Sequence, residues 1–340
     1  MGTSHVSKSN GMDADAKTAA SLIEIAEGSI LPRCIHVVAE LGIADLIDEA
    51  PLSATSLAQA AKINADALNR VLRLMAAHGI FKQVTNGYAH TALSRQLRSD
   101  HPHSLRAYAR MIGSPFFWHA YGELLYSVTT GEPAAKKLDP GGIFAYLKKH
   151  PHEGAIFNAA MEAKAQRDIQ AVTSAYDFSQ FRSIADIGGG RGHLLKAILQ
   201  SAPKAKGVLF DQPHVLQEAG ASERLMLHPG DFFAGGLPSC EAYIVMEVLH
   251  DWNEAECAQI LGSIRQASPN GAKLLVLETV VPDDNQAHFS QTLDIIMLTI
   301  TGGRERTKDE YAKLLAASGF RLSRLVETGT PCSILEAVVV

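Results

Sequence analysis

From about residue 180 onward, short runs rich in aliphatic and β-branched residues alternate with segments whose apolar positions recur at helical spacing. "SIADIG" precedes "GHLLKAILQ", "KGVLFD" precedes "HVLQEA", "RLMLH" follows, "AYIVMEVL" precedes "EAECAQILGSIRQA", and "KLLVLETVV" precedes "FSQTLDIIMLTI". "TKDEYAKLLAASG", "FRLSRLVET" and "SILEAVVV" complete the chain. This alternation predicts a doubly wound, Rossmann-like α/β sheet over residues 176–340, with ligands at the C-terminal ends of its strands. Residues 18–105 carry a different pattern. A helical stretch broken at Pro32 and near Gly42 is followed by two helices, the strand-like "IFKQV", the turn "TNG" and the strand-like "YAHTA", which together predict a winged-helix-like domain. Residues 106–175 are helical and aromatic, a linker containing "PFFWHAYGELLYSVTTG" and "IFAYLKKHPHEGAIFNAAM". Residues 1–17 are polar and predict a mobile tail.

A winged helix raises the question of DNA. Residues 1–100 hold nine Lys and Arg against ten Asp and Glu, a net charge of −1, and only Arg70 and Arg73 punctuate the second helix. A DNA-reading face needs cations to neutralise phosphates, so an apolar dimerisation module is expected instead. The net charge of the whole chain, −5, likewise gives no general attraction to nucleic acid or anionic membrane. No apolar run approaches the roughly 18 residues that span a bilayer, and a cytoplasmic protein is expected. Cys34, Cys240, Cys257 and Cys332 are widely spaced, with no CxxC pair, and predict reduced thiols rather than a zinc site or disulfides.

The first strand of the α/β region ends in "ADIGGGRGH", where Gly188 and Gly190 permit positive φ and close approach of backbone to a nucleoside-type ligand. The dinucleotide fingerprint needs a third Gly or Ala where His193 stands, which demotes a nicotinamide enzyme, and no Walker A loop is present. Asp211 ends the second strand. It suits the two hydroxyls of a ribose, with helix capping before Pro213 as the alternative. Asp231 and Phe232 in "PGDFF" could meet an adenine, or form a turn.

The fourth strand delivers His250, Asp251 and Trp252, the fifth carries Glu278, and "TGGRERT" carries Glu305 between two arginines. One His with two carboxylates is the composition of a general base, the carboxylates orienting the imidazole and stabilising its protonated form. The alternatives are pairing of Glu278 with Arg304 or Arg306, and a capping role for His250. No acidic cluster suited to an octahedral oxygen site is evident at the strand ends, so a metal-free mechanism is expected.

The motifs "DIGGGRGHLL", "LFDQPHV", "GDFF", "VLHDW", "LLVLETVVP", "LDIIMLTITGGRERT" and "LLAASGF" occur in the order used by a known family. Over nearly its whole length the chain resembles the class I S-adenosylmethionine-dependent small-molecule O-methyltransferases of the caffeic acid, hydroxyindole and polyketide-tailoring type. The resemblance implies a Rossmann-like methyltransferase sheet with an N-terminal winged-helix-like dimerisation domain, a homodimer, and S-adenosylmethionine as cofactor. It implies cofactor contacts at Gly188, Gly190, Asp211, Asp231, Phe232 and Asp251, with His250 as base flanked by Glu278 and Glu305. Trp118, Phe157, Met161, Asp294 and Met297 are expected to shape the pocket of a small aromatic acceptor. Many plant members carry a cofactor-contacting Lys where this chain has Met246. The expected reaction is methylation of a phenolic hydroxyl. The rivals are N-methylation, a reaction other than methyl transfer with the same cofactor, and a small-molecule-sensing regulator.

Overall fold

In the computed structural model, which describes residues 6–217, 219–284 and 286–340, the chain divides into two units. The first comprises the chain up to Pro115 together with Ala155–Ala163, and the second comprises Phe116–Gly154 and Lys164–Val340. The helical segment 106–175 is therefore shared between two cores rather than standing as a linker. Its first helix is held by Arg106, paired with Asp45 at 2.7 Å, and by Arg110, paired with Glu40 at 2.8 Å, all within the first unit.

The first unit begins with α1 (Val6–Glu27), so the expected tail 1–17 is helical from Val6, while residues 1–5 lie outside the described residues. α2 (Ile30–Glu40) contains Pro32 in its first turn, where a missing N–H costs no helical bond. The interruption thus falls before Pro32, at Gly28–Ser29. Gly42, at φ 64°, ends this stretch as expected. α3 (Ala54–Ala61) and α4 (Ala65–Ala77) are capped by Ser53 and Asn64 and lead into the antiparallel hairpin β1 (Phe81–Val84) and β2 (Gly87–His90). The short α5 (Ala92–Arg95) and then α6 (Arg106–Ile112) follow. Leu57, Leu68, Leu72, Met75, Phe81 and Tyr88 close the winged-helix core.

The second unit contributes α7 (Pro115–Gly122, entered from the first unit), α8 (Leu124–Thr130), α9 (Gly142–Lys149) and the C-terminal half of α10 (Pro151–Ala175). The α/β region then runs β3 (Ser183–Ile187), α11 (His193–Ser201), β4 (Lys206–Asp211), α12 (Pro213–Leu216), β5 (Leu225–Pro229), β6 (Ala242–Met246), α13 (Glu254–Ala267), β7 (Lys273–Val281), α14 (Phe289–Ile300), β8 (Arg306–Thr307), α15 (Lys308–Ala317), β9 (Phe320–Glu327) and β10 (Cys332–Val339). The sheet order is β5-β4-β3-β6-β7-β10-β9, with β8 pairing the end of β7. All pairs from β5 to β7 are parallel, and β10 is antiparallel to both neighbours.

Two apolar cores cover the two faces of this sheet, one around Ile260, Leu261, Leu274 and Val276, the other around Leu195, Ile198, Ile244 and Leu275. Strand order reverses on either side of β3: the chain steps outward to β4 and β5, then returns to β6. The crevice beyond the C-terminal ends of β3 and β6 is the position where such sheets hold ligands. Cys240, Cys257 and Cys332 are buried thiols, Cys34 is half-buried, and no disulfide forms among the described residues. No helix among the described residues is long and apolar enough to cross a membrane.

Candidate active site

The turn after β3 is built on backbone that disfavours side chains. Gly188, Gly190 and Gly192 have φ of 71°, 59° and 74°. A Cβ on Gly189 would come within 2.5 Å of the Asp186 carboxyl, whereas one on Gly190 would meet nothing within 4 Å. The turn is thus tight beneath and open above. Asp211 braces it from β4, its Oδ2 accepting the Gly190 N–H at 2.8 Å and its Oδ1 the Gln212 N–H at 2.7 Å. Gln212 rather than Asp211 is the residue at the start of α12, so the capping alternative gives way to a brace on the glycine turn. Asp231 accepts the Phe233 N–H at 2.9 Å in a local turn, and the ring of Phe232 lies 3.7 Å from where a Gly188 Cβ would stand.

Asp186 lies beneath this turn, against Gly189. It is 1% exposed and neither carboxyl oxygen receives a hydrogen bond. Burial, and then the neighbouring Asp211, push its pKa up to about 7. The available signal was a carboxylate in a core strand directly before the glycines.

At the end of β6, Glu247 adopts φ 50°, a left-handed conformation uncommon for a residue with a side chain. The chain then turns through Leu249–Asp251, which seats His250. The imidazole Nδ1 lies 2.8 Å from Glu305 Oε1 and 3.6 Å from Glu278 Oε2. Asp251 Oδ1 is 3.9 Å from Nε2, beyond hydrogen-bond reach. Glu278 Oε1 accepts the N–H groups of Val248 (3.1 Å) and Leu249 (2.9 Å), which fixes the turn to β7. The pairing of Glu278 with an arginine does not occur; Arg306 instead meets Glu254 at 2.9 Å. Glu305 is itself aimed by its backbone N–H, which donates to Asp294 Oδ1 at 2.8 Å.

Burial lowers the pKa of His250, but the carboxylates of Glu278, Asp251 and Glu305 more than offset this and lift it to about 10. Burial in turn raises Glu278 above the usual carboxylate range and Asp251 to about 6, both opposed by the charge of His250. Glu247 moves the other way: burial raises it, yet Lys164 and His250 hold it below the usual carboxylate range. Lys164 of α10 forms a half-buried ion pair with Glu247. Met246 packs against the sheet's second core, and a cation reaches this strand end from Lys164 through Glu247, from a position no local spacing could reveal.

The fold brings one imidazole and two carboxylates together at the strand ends. Ligand atoms of His250, Glu278 and Glu305 lie within 4.8 Å of one another, because "RERT" returns from 27 residues beyond Glu278 to pair with the end of β7. One imidazole and two carboxylates differ from an all-oxygen octahedral set.

Among the expected acceptor-pocket residues, Trp118 on α7 is half-buried. Asp294 and Met297 lie on α14. The Asp294 Oδ1 atom is engaged by Glu305, and Met297 is 8% exposed in packed surroundings. Phe157 and Met161 are half-buried residues of α10 in the first unit.

Residues 115–321 match the model of an O-methyltransferase domain, and residues 23–100 that of an O-methyltransferase dimerisation domain. The chain belongs to the S-adenosylmethionine-dependent small-molecule O-methyltransferase family. Its relatives in this family include a phenazine O-methyltransferase of Lysobacter antibioticus, 40% identical over 93% of this chain and 95% of the relative. They also include a phenazine-1-carboxylate N-methyltransferase of Pseudomonas aeruginosa, 33% identical over 91% and 94%. A crystal structure of an O-methyltransferase from neocarzinostatin biosynthesis, in complex with S-adenosylmethionine and 2-hydroxy-5-methyl naphthoic acid, aligns with TM-score 0.76 at 29% identity, covering 91% of this chain and 96% of the other. The methyltransferase fold, the dimerisation domain and the S-adenosylmethionine cofactor of the family are therefore those of this chain. The nicotinamide and regulator alternatives fall away. The residues present fit the cofactor: an open glycine turn stands over a buried, unbonded Asp186 carboxyl, with Asp211 and Phe232 flanking it.

Proposed function

We propose that this methyltransferase methylates a phenolic hydroxyl of a small aromatic acceptor without a metal, with His250 as general base. The observation that carries the reading is the hydrogen bond between His250 Nδ1 and Glu305, which leaves Nε2 as the nitrogen able to take a proton. An aromatic nitrogen attacks through a lone pair it already has. A phenol must lose a proton, and a buried imidazole backed by two carboxylates answers that need.

Gly188, Gly190, Asp211, Asp231, Phe232 and Asp251, together with Asp186, would hold the cofactor at the switch point of the sheet. When bound, S-adenosylmethionine supplies an electrophilic methyl group on a sulfonium. The chain supplies the base and its alignment. A phenol titrates near 10 and a free imidazole near 6.5, a mismatch of roughly 5 kcal/mol. Glu278, Asp251 and Glu305 bring His250 to about 10, so proton transfer from a phenol becomes nearly balanced. The consequence is that His250 rests as an imidazolium at neutral pH, and must shed that proton before acting as base.

Leu22, Ile23, Ile25 and Ile30 on the first two helices are exposed, a surface that supports homodimerisation through the first unit. Solution molar mass tests this. The reaction is tested by incubating the protein and S-adenosylmethionine with 3-amino-4-hydroxybenzoate, 2-hydroxy-5-methylnaphthoic acid, 1-hydroxyphenazine and phenazine-1-carboxylate, following methylated products by mass. The reading expects O-methyl products that depend on His250. Methylation confined to ring nitrogen and unaffected by His250→Gln would replace it with the N-methyl alternative.

A further inference from the structure

Three consecutive residues, Arg304 to Arg306, hold the turn that bears His250. Arg304 donates its backbone N–H to the His250 carbonyl at 2.9 Å, and Glu305 meets the imidazole. The side chain of Arg306 is 1% exposed and reaches the same turn from beneath. Its Nη1 donates to the Leu249 carbonyl at 3.2 Å and its Nη2 to the Trp252 carbonyl at 3.4 Å, the residues on either side of His250 and Asp251. Nη2 also lies 3.5 Å from Cys257 Sγ, and Nε donates to Glu254 Oε1 at 3.0 Å. The guanidinium stands 5.9 Å from the centre of the Tyr311 ring.

As a stability device this arrangement is poor. A buried cation loses its hydration, and its carboxylate partner among the described residues, Glu254, has a side chain 57% exposed and therefore screened. As a positioning device it is well formed. Two carbonyls that bracket a single turn are spanned by one rigid planar fork, which the point charge of a lysine cannot reproduce. Arg306 is also bonded directly to Glu305, so the group that fixes the turn and the group that meets Nδ1 move as one piece.

We propose that Arg306 is the positioning residue of the reaction: by clamping the Leu249 and Trp252 carbonyls it sets the distance between His250 and Glu305. This rests on the assignment of His250 as base. The test is a double-mutant cycle with Arg306→Lys and His250→Gln, using whichever phenol of the panel above the wild type turns over, with S-adenosylhomocysteine binding and thermal unfolding as checks on the fold. Arg306→Lys is expected to lower kcat roughly tenfold to a hundredfold with KM for the cofactor within about threefold. Added to His250→Gln it should lower kcat no further. The His250 imidazole, observed by nitrogen-15 NMR and assigned by its loss in His250→Gln, should titrate at lower pH in Arg306→Lys, as a looser contact with Glu305 requires. An unchanged kcat, a loss that adds in full to that of His250→Gln, or an unmoved titration would overturn the proposal. If Arg306→Lys does not fold, Glu254→Gln carries the same cycle, with a few-fold loss expected in the wild-type background and none beside His250→Gln; no loss, or an additive one, is again the overturning result. A His250→Gln enzyme with full turnover would instead remove the base assignment itself.

Discussion

His250 Nδ1 and Glu305 Oε1 are 2.8 Å apart although 55 residues separate them in the chain. The contact fixes both the orientation of the imidazole and its charge. Glu305→Gln keeps the shape and removes the charge, so turnover compared on the high-pH plateau of each profile, where the imidazole is neutral in both proteins, should fall roughly tenfold to a hundredfold while cofactor affinity stays within about threefold. Steady-state kinetics beside equilibrium binding separates the two; an equal loss in both would assign Glu305 to cofactor binding.

The raised pKa of His250 sets the sign of the pH response. The imidazolium dominates below about 10 and is not a base, so turnover should rise with pH towards that value. Glu278 is the first of the carboxylates that raise it, and Glu278→Gln should move the rising limb to lower pH. His250→Gln should abolish the limb. For stability the sense is opposite: a folded pKa above the ordinary 6.5 gives a contribution fully present below that value and lost as pH rises through about 10. A kcat profile that is flat between pH 6 and 9 in the wild type would contradict the assignment.

Asp186 should oppose stability and serve binding at once. Its folded pKa of about 7 lies above the ordinary carboxylate value, so its favourable contribution exists below about pH 4 and is lost as pH rises through 7. Replacing it with Asn should therefore raise the melting temperature of the cofactor-free protein, with a gain that grows between pH 4 and pH 7 up to an upper bound on the order of 4 kcal/mol. The same change removes a buried carboxylate from beneath the glycine turn, and S-adenosylmethionine affinity should fall at least about tenfold. Calorimetric melting and binding titration on one preparation test both halves. Unchanged affinity would exclude Asp186 from the cofactor site.

Much of this was legible in the sequence, for identifiable reasons. Strands β3, β4, β6 and β7 declare themselves because they are buried on both faces and therefore read as continuous apolar runs. His250 and Glu278 stood out as polar residues at the ends of such runs. What could not be read was whatever depends on a return of the chain: the brace from Asp211 to Gly190, the engagement of Asp294 by Glu305, and the pairing of Lys164 with Glu247. Asp294 illustrates the difficulty. Its place on an apolar helix suggested a pocket wall, and nothing nearby in the chain announced that one carboxylate oxygen would hold Glu305, whose own carboxylate meets His250.

Gly303 tests the closeness of that return. A Cβ at this position would stand 1.8 Å from the His250 carbonyl oxygen, so even Ala cannot be accommodated unless the His250 turn or "GGRER" moves. Gly303→Ala should lower kcat by at least about a hundredfold, as misplacement of a catalytic group by about 1 Å does. Substitution at Gly190, where a Cβ meets no protein atom, should act on the cofactor affinity instead. The pair of variants separates damage at the His250 turn from damage at the glycine turn.

Lys164 and Glu247 provide the last test, because their side chains are only 19% and 17% exposed. Lys164→Met leaves Glu247 buried without its counter-ion, in a left-handed backbone conformation that already carries strain. The expected loss is about 3 kcal/mol, since removing one member of a buried pair leaves the other uncompensated. Glu247 has its folded pKa lowered, so the stability it contributes is present above its ordinary value near 4.5 and lost as pH falls through the folded value. The deficit of Lys164→Met should accordingly be largest at pH 7 to 8 and shrink as Glu247 becomes protonated. The double variant Lys164→Met with Glu247→Gln should recover part of the loss, because it removes the stranded charge along with its partner. Urea unfolding of the wild type, Lys164→Met, Glu247→Gln and the double variant at pH 7.5 and pH 5 measures each term; equal deficits at both values, with no recovery in the double variant, would show that Lys164 contributes packing rather than charge.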